Sequence, residues 1–145
     1  MTLSLLLWAA LVAPTSIADP MCLATTIYLE ARDQPIQGQY AVAEVALRRL
    51  ESKRYGATVC AVVLQPGQFA PSMVSGKMQI KNQQAWNRAW RIAVDSLRLA
   101  QLPQRMRPSV VPGADHFFAF NTVLPKWAVG TPVATIGDHA FYNLR

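Results

Sequence analysis

The strongest constraint on the fold is a helical apolar repeat that runs through residues 19–50 and is broken only once. Leu23, Ile27 and Glu30 recur at i, i+4 and i+7 and therefore share one face of a helix. The break falls at "DQP", because a proline pushes the residue before it out of the α region. Two consecutive helices are therefore predicted, the second over about residues 36–50.

Capping residues predict where the helices begin. Asp19 is the predicted N-cap of the first helix, with Pro20 at its first position, where proline is favoured. Asn82 is predicted to cap a third helix that reaches about Ala100. Between these helices, residues 58–64 form a short apolar stretch that fits either a strand or a helical turn.

The last third of the chain has a different character. "ADHFFAFNTV" has the aromatic content of a strand, and "TIGDHAFYNL" combines a turn with a second short strand. The proline-containing "LPKWAVGTP" between them is predicted to be a loop. Helices followed by short strands predict one α+β domain, mainly helical, with a short antiparallel β element near the C-terminus.

Residues 1–18 carry no charged side chain, and their core "LSLLLWAALVA" is about as long as a secretory hydrophobic region. Ser16 and Ala18 form a small-x-small cleavage pattern. A signal peptide is the first interpretation, with residues 19–145 as the folded domain. A releasable signal anchor that associates transiently with a membrane is the second, and a buried N-terminal helix is the third.

The chain has two cysteines, Cys22 and Cys60. If the protein leaves the cytosol, the pair can form a disulfide, which would stabilise the fold by about 3–4 kcal/mol. Two buried free thiols are the alternative, because the cysteine count alone does not distinguish these states.

The net charge of +6 and the pI near 9.8 favour anionic partners. The basic residues are scattered and form no nucleic-acid motif, so nucleic acid is not an expected partner. An anionic cell envelope, either wall polymer or membrane, fits better.

Glu30 is distinctive among the eight carboxylates. It lies on the apolar face of its helix and has no cation three or four positions away. Burial raises the pKa of such a carboxyl group, and a protonated acid near neutral pH is a general acid. The alternative is an ion pair with a base distant in sequence, such as Arg105. Local roles are predicted for the other acids: Asp19 as a cap, Glu44, Glu51 and Asp95 beside arginines of their own helices (Glu44 with Arg48), Asp33 and Asp138 in turns, and Asp115 undecided.

An ordered set of motifs spans Cys22 to Tyr142. It comprises "CLATTIYLEARDQPIQGQYAVAEVALRRL", "TVCAVVLQPGQF", "AWNRAW", "GADHFFAFNTVLPKW" and "IGDHAFY". This set resembles the SleB-type cell-wall hydrolase family, the spore-cortex-lytic enzymes and their bacterial and phage relatives. The resemblance implies a trimmed lysozyme-like scaffold that cleaves peptidoglycan glycan strands between N-acetylmuramic acid and N-acetylglucosamine. It also implies that Glu30 is the catalytic acid and that no cofactor is needed.

The resemblance suggests further site residues. Gln68 and Phe69 match a family motif and are candidates to line the groove, although Phe69 equally fits a packing role under the turn. His116 and Asn121 are candidates to hydrogen-bond N-acetyl groups, and Trp127 is a candidate to stack on sugar. A structural role is the alternative for each of them.

The chain departs from the family pattern after "EAR". The family commonly has Gly-Glu there, and this chain has Asp33 and Gln34. If the second family glutamate assists catalysis, that help is lost here or passes to Asp33. A lytic transglycosylase needs one carboxyl group, whereas a hydrolase needs a second one at a defined separation. Few other acids are free, which favours the one-carboxylate reaction.

Three rival interpretations remain. The "DH" pairs at 115–116 and 138–139 suggest a zinc enzyme, but no HxxEH-like spacing supports one and no metal is expected. Cys22 with His116 or His139 suggests a cysteine peptidase. A non-catalytic envelope-binding module is the third. We expect a monomer that is exported to the periplasm or wall, or is phage-encoded and released at lysis.

Overall fold

The computed structural model describes residues 1–145 as five α-helices and one three-stranded antiparallel sheet, which confirms the mainly helical α+β prediction. The helices are α1 Leu3–Val12, α2 Thr15–Ala31, α3 Ile36–Ser52, α4 Val59–Val63 and α5 Gln83–Leu99. The strands are β1 His116–Ala119, β2 Ala134–Ile136 and β3 His139–Tyr142, and 3₁₀ turns lie at Ala70–Ser72 and Gln104–Met106. None of the helices is both long and apolar enough to cross a membrane.

α2 is the central helix, and each of the other four helices packs against it. Leu23 and Ile27 are fully buried, as their shared apolar face predicts. Thr25 and Thr26 are also buried, and their hydroxyls donate to the carbonyls of Met21 and Cys22 one turn earlier. These bonds satisfy the two polar groups inside the core, so α2 is enclosed along most of its length.

The predicted start of the first long helix is wrong. α2 begins at Thr15, and Pro20 lies inside it instead of at its first position. Asp19 does not cap α2; its Oδ1 accepts the Val59 N–H at 3.1 Å, at the start of α4. The local capping pattern was overridden because this carboxylate finds its partner forty residues away in sequence.

The predictions for α3 and α5 are confirmed. α3 begins directly after Pro35 and ends at Ser52, followed by the C-cap Lys53, whose φ of 60° is left-handed. Asn82 caps α5, with its Oδ1 accepting the Ala85 N–H at 3.0 Å. The segment at 58–64 contains the short helix α4, so the helical alternative was the right one.

A disulfide joins α2 to α4. Cys22 and Cys60 are bonded, with their Cα atoms 5.2 Å apart, and no free cysteine remains. The disulfide prediction is therefore confirmed, and the free-thiol alternative is wrong.

Residues 1–18 pack onto the domain. Leu3, Leu6 and Ala10 of α1 are each only 1% exposed. The start of α1 is also bonded through its backbone to a later segment: Leu3 N–H donates to the Met78 carbonyl at 2.8 Å. The export signal at 1–18 stays a prediction, and in the folded chain this region has a defined place.

The sheet closes the other side of the core. Its order is β1-β3-β2, with Phe117 of β1 opposite Phe141 of β3. The central strand β3 is buried at all four positions. Phe117 packs on Phe69, with ring centroids 6.0 Å apart, and this contact places the sheet against the turn that follows α4.

Candidate active site

Glu30 lies in the last turn of α2, and the position of its carboxylate is fixed by one backbone group. Its Oε1 accepts the N–H of Ala70 at 2.7 Å. The second oxygen, Oε2, makes no hydrogen bond and is not sealed in the interior. One oxygen is therefore held by the protein, and the other is free to meet a ligand.

Burial raises the pKa of Glu30, and two weaker effects oppose it: the Ala70 N–H and the positive charge of Arg49. The predicted alternative, an ion pair with a distant base, is not observed. Glu30 forms no salt bridge, and Arg105 lies in an exposed 3₁₀ turn. The protein therefore stabilises the ionised form of the Glu30 carboxyl group only weakly, as a general acid requires.

The turn that holds Glu30 is itself well fixed. Phe69 is fully buried, and Ala70 begins the 3₁₀ turn that follows it. The Ser72 hydroxyl donates to the Phe69 carbonyl at 2.8 Å and accepts the Gly67 N–H at 3.1 Å. Because its neighbours are tied in this way, the Ala70 N–H has little freedom to move away from Glu30.

Arg49 holds the 68–70 turn in place through its side-chain contacts. It was not among the site residues that the sequence predicted. Its side chain is buried, at 4% exposure, between the rings of Tyr55 and Phe69, 5.0 and 4.8 Å from the ring centroids. Its Nη1 donates to Gln68 Oε1 at 3.1 Å, and its Nε donates to the Asp115 carbonyl at 2.8 Å. Arg49 therefore connects the 68–70 turn to the start of the sheet.

A sequence signal for Arg49 did exist. Val42, Val45 and Arg49 recur at i, i+3 and i+7 on the buried face of α3. A charged residue on an apolar stripe is the same anomaly that singled out Glu30 on α2. The same pattern, a charged side chain on an apolar helix face, is therefore present at both Glu30 and Arg49.

Gln68 and Phe69 lie beside Glu30 but have different surroundings. Gln68 is exposed and binds Arg49, whereas Phe69 is inaccessible and packs between Arg49 and Phe117. Phe69 thus occupies the packing position that we considered as its alternative role.

His116 of β1 and Trp127 of the β1–β2 loop lie together, with ring centroids 5.0 Å apart. Trp127 also makes edge contacts with Phe118 and Tyr142 and is half-buried. Asn121 is exposed in the loop after β1. The predicted site residues therefore form two groups, Gln68 and Phe69 beside Glu30 and His116 beside Trp127, and Arg49 connects the two groups through the backbone of Asp115.

Asp115 is as deeply buried as any acid in the chain, but one of its oxygens accepts two hydrogen bonds and the other lies within ion-pair distance of an arginine. Its Oδ1 accepts from His116 Nδ1 and the Leu144 N–H, both at 3.0 Å, and Oδ2 pairs with Arg145 Nε at 3.2 Å. Burial alone would raise the pKa of Asp115. The two hydrogen bonds and the charges of His116 and Arg145 outweigh it and lower the pKa below its usual value.

Asp33 and Asp138 share one amide. Gln34 Nε2 donates to Asp33 at 3.2 Å and to Asp138 at 2.9 Å, and Gln34 Oε1 accepts the Asp138 N–H at 2.8 Å. Gln34, at the position where the resemblance leads one to expect glutamate, therefore bridges the α2–α3 junction to the β2–β3 turn.

Three of the predicted local pairings are wrong, because each acid bonds a group distant in sequence. Glu44 accepts the N–H groups of Val110 and Val111, at 3.0–3.1 Å, and forms no salt bridge with Arg48. Glu51 pairs with Arg107, and Asp95 accepts from the Tyr40 hydroxyl at 2.8 Å. All three remain satisfied, so Glu30 still stands apart.

The histidines lie in separate surroundings. His139 is buried against Phe117 and Phe141, and burial lowers its pKa. No group of three or more His, Cys, Asp or Glu side chains is arranged to hold a metal ion. Cys22 has no free thiol, which removes the nucleophile from the cysteine-peptidase interpretation.

Comparison with known proteins places this geometry in context. A family model described as cell wall hydrolase matches residues 33–142. The spore cortex-lytic enzyme of Halalkalibacterium halodurans is 31% identical over 126 residues, covering 86% of this chain and 34% of the relative. The corresponding enzyme of Bacillus subtilis is 28% identical over 124 residues, covering 85% and 37%. The chain thus spans little more than a third of these relatives.

Two solved structures are similar throughout most of the fold. The catalytic domain of Bacillus cereus SleB has a TM-score of 0.67 and 25% identity, covering 86% of this chain and 89% of that one. The catalytic domain of SleB from Bacillus anthracis, described as a germination-specific lytic transglycosylase, has a TM-score of 0.65 and 26% identity, covering 86% and 93%. With the family model matching most of its length, this chain belongs to the cell wall hydrolase family.

Proposed function

We propose that this protein cleaves peptidoglycan glycan strands between N-acetylmuramic acid and N-acetylglucosamine, as a lytic transglycosylase with Glu30 as its single catalytic carboxyl group. The observation that carries the proposal is the state of Glu30: its pKa is raised by burial, one oxygen is held by Ala70, and the other is free. The similarity to SleB catalytic domains supports the same reaction class.

In the first step, protonated Glu30 donates its proton to the glycosidic oxygen as the bond to the muramic residue breaks. The Glu30 carboxylate then takes the proton of the C6 hydroxyl of that residue, whose oxygen attacks C1. The products are a 1,6-anhydromuramic end and a free N-acetylglucosamine end, and no water is consumed. The Ala70 N–H and the Arg49 charge favour the carboxylate formed midway, so Glu30 can both give and take a proton.

The absence of a free second carboxylate supports this route over hydrolysis. Asp115 is committed to His116, Leu144 and Arg145. Asp33 and Asp138 are both bonded to Gln34. A retaining or inverting hydrolase needs a second carboxylate facing the sugar, and each of these acids already has a structural partner.

Residues of β1 and of the loop that follows it complete the proposed groove. Trp127 is proposed to stack on a sugar ring, and His116 and Asn121 to bond N-acetyl groups. The half-buried Trp127 ring beside His116 supports this, since an aromatic face with adjacent polar groups suits carbohydrate. Helices that carry the acid opposite a small sheet also fit the lysozyme-like scaffold, which is part of the same proposal.

The setting follows from the substrate. Peptidoglycan lies outside the cytoplasm, and a disulfide between Cys22 and Cys60 persists in such oxidising compartments. We therefore propose that the protein acts as a monomer in the periplasm or wall, or on release at phage lysis, without a cofactor.

Mass spectrometry of purified peptidoglycan digested with the protein tests the proposal. The expected products carry 1,6-anhydromuramic ends, and Glu30→Gln produces none. Reducing muramic acid ends would show a hydrolytic muramidase instead. Binding without any cleaved product would show an envelope-binding module, and free peptide ends would show a peptidase.

A further inference from the structure

Apart from Ser4, every residue of α1 is apolar, yet the domain covers only one side of the helix. Leu3, Leu6 and Ala10 face the core. The opposite face is exposed, with fractions of 53–66% for Leu5, Trp8, Leu11 and Val12. A helix that is apolar all round belongs in a protein core or in lipid, so the outer face of α1 lacks its expected environment.

The domain holds this face outward. Leu3 N–H donates to the Met78 carbonyl, Ser4 N–H to the Gly76 carbonyl, and Ile80 N–H to the Met1 carbonyl, at 2.8–2.9 Å. α1 also packs along α2. With its inner side chains buried and its backbone tied to residues 76–80, α1 has no room to turn its outer face into the core.

The length of α1 decides how it can meet a bilayer. Its ten residues measure about 15 Å, roughly half of the hydrocarbon thickness. It cannot cross a membrane, but a helix of this kind can lie in the interface with its apolar face about 5–10 Å deep. Trp8, in the middle of the exposed face, is a residue type enriched at that depth.

The charge of the chain indicates which partner covers the outer face of α1. Residues 1–18 contain no acid, and the segment bonded to α1, residues 76–80, contains the exposed Lys77 and is followed by the exposed Lys81. An anionic lipid surface attracts a chain of net charge +6, whereas a second copy of the chain is repelled by it. The outer face also has few side chains, while stable protein interfaces use about 20–30 residues a side.

We propose that α1 docks the folded domain in the plane of an anionic bilayer, with Leu5, Trp8, Leu11 and Val12 at the boundary between headgroups and acyl chains. This surface is independent of the catalytic proposal, because it contains none of the residues around Glu30. Glu30→Gln is therefore expected to bind vesicles like the wild type, and the two proposals fail separately.

Vesicle co-sedimentation of the full chain tests the proposal, with phosphatidylglycerol–phosphatidylethanolamine vesicles compared with neutral phosphatidylcholine. Wild type is expected to sediment with the anionic vesicles, and Leu5→Ser/Trp8→Ser/Leu11→Ser to lose binding at least tenfold. The matched control is Val123→Ser/Leu124→Ser/Val129→Ser, three apolar residues of the β1–β2 loop that are 64–89% exposed, which should bind normally. Lys77→Gln/Lys81→Gln should bind anionic vesicles more weakly, by about fivefold for each lysine.

Circular dichroism checks that each variant is folded, and the exposed positions make this the expected result. Several outcomes overturn the proposal: no binding by wild type, equal binding to neutral vesicles, or loss confined to the loop variant. An α1-dependent dimer in ultracentrifugation would show that a second copy covers the face. A mature chain that begins at Asp19 by mass spectrometry would also overturn it, because α1 would then be absent.

Discussion

Glu30 and Asp115 are both withdrawn from solvent, yet the protein treats them in opposite ways. Glu30 receives one backbone N–H, and its pKa rises. Asp115 receives a histidine, a backbone N–H and an arginine, and its pKa falls. Arg49 lies between them and binds the Asp115 carbonyl, while its charge reaches Glu30.

The difference teaches that burial alone does not mark a catalytic acid. Burial raises the pKa of a carboxyl group until donors compensate, so the number of donors decides which state the protein favours. A site that must release and recover a proton has to leave its acid incompletely satisfied. Glu30 meets that condition, and Asp115 holds the chain end against the sheet.

Glu30→Gln gives the largest expected effect. Glutamine keeps an oxygen for the Ala70 N–H but has no acidic proton, so glycan cleavage should fall about 10²–10⁴-fold. Thermal unfolding near neutral pH should occur at the same or a higher temperature, because a poorly supported buried charge is removed. Glu51→Gln, at an exposed ion pair, is the matched control and should keep full activity. A Glu30→Gln protein less stable than wild type would show that the Glu30 carboxylate stabilises the fold, and the contrast with Asp115 would fail.

Asp115→Asn should show the opposite pattern. Its bonds to His116 and Arg145 lose a charge, and the free energy of unfolding should fall by about 1–3 kcal/mol in denaturant titration. Activity measured well below the melting temperature should stay within a few-fold of wild type. A stable Asp115→Asn protein without activity would instead make Asp115 a second reacting carboxylate.

Arg49→Gln and Arg49→Lys separate charge from geometry. Both variants lose the guanidinium group that donates to Gln68 and to the Asp115 carbonyl, so both should be less stable than wild type. Only glutamine removes the charge that lowers the pKa of Glu30. The proposed reaction needs protonated Glu30, so activity should fall as pH rises through that pKa, and the Gln variant should remain active to higher pH than the Lys variant. Identical pH profiles would exclude a role for the Arg49 charge.

The smallest effects concern stability against pH. The folded pKa of Asp115 is lowered, so its contribution is present above about pH 4 and is lost as pH falls through the folded value. The folded pKa of Glu30 is raised, so its ionisation costs stability as pH rises through that value. In calorimetry, the Asp115→Asn deficit should shrink in acid, and any Glu30→Gln gain should grow with pH. Parallel curves would show that neither acid is coupled to folding.

The sequence predicted the helical half well, because α3 and α5 follow from local periodicity, a proline and an Asn cap. The sequence predicted the wrong role for Asp19 and the wrong bonding partners for Glu44, Glu51 and Asp95. Those acids bond groups 40–67 residues away, and no local spacing rule reports such separations.

Glu30 could be found because an unpaired acid on an apolar face is a local anomaly. Its partner Ala70 could not, since a backbone N–H has no signature in sequence. Arg49 has the same kind of signal as Glu30, a charged side chain on the apolar face of a helix. The sequence thus indicates which residues are unusual, and the tertiary contacts decide what each is bonded to.

The disulfide has a consequence for how the site assembles. Glu30 and Ala70 are 40 residues apart along the chain. Once Cys22 is bonded to Cys60, the covalent path between them is only about eighteen residues, because Glu30 follows one cysteine closely and Ala70 the other. Loop-closure entropy then opposes their contact by about 0.7 kcal/mol less. Oxidation therefore favours pairing of the acid with its amide, so the site forms more readily in the compartment that keeps the bridge intact.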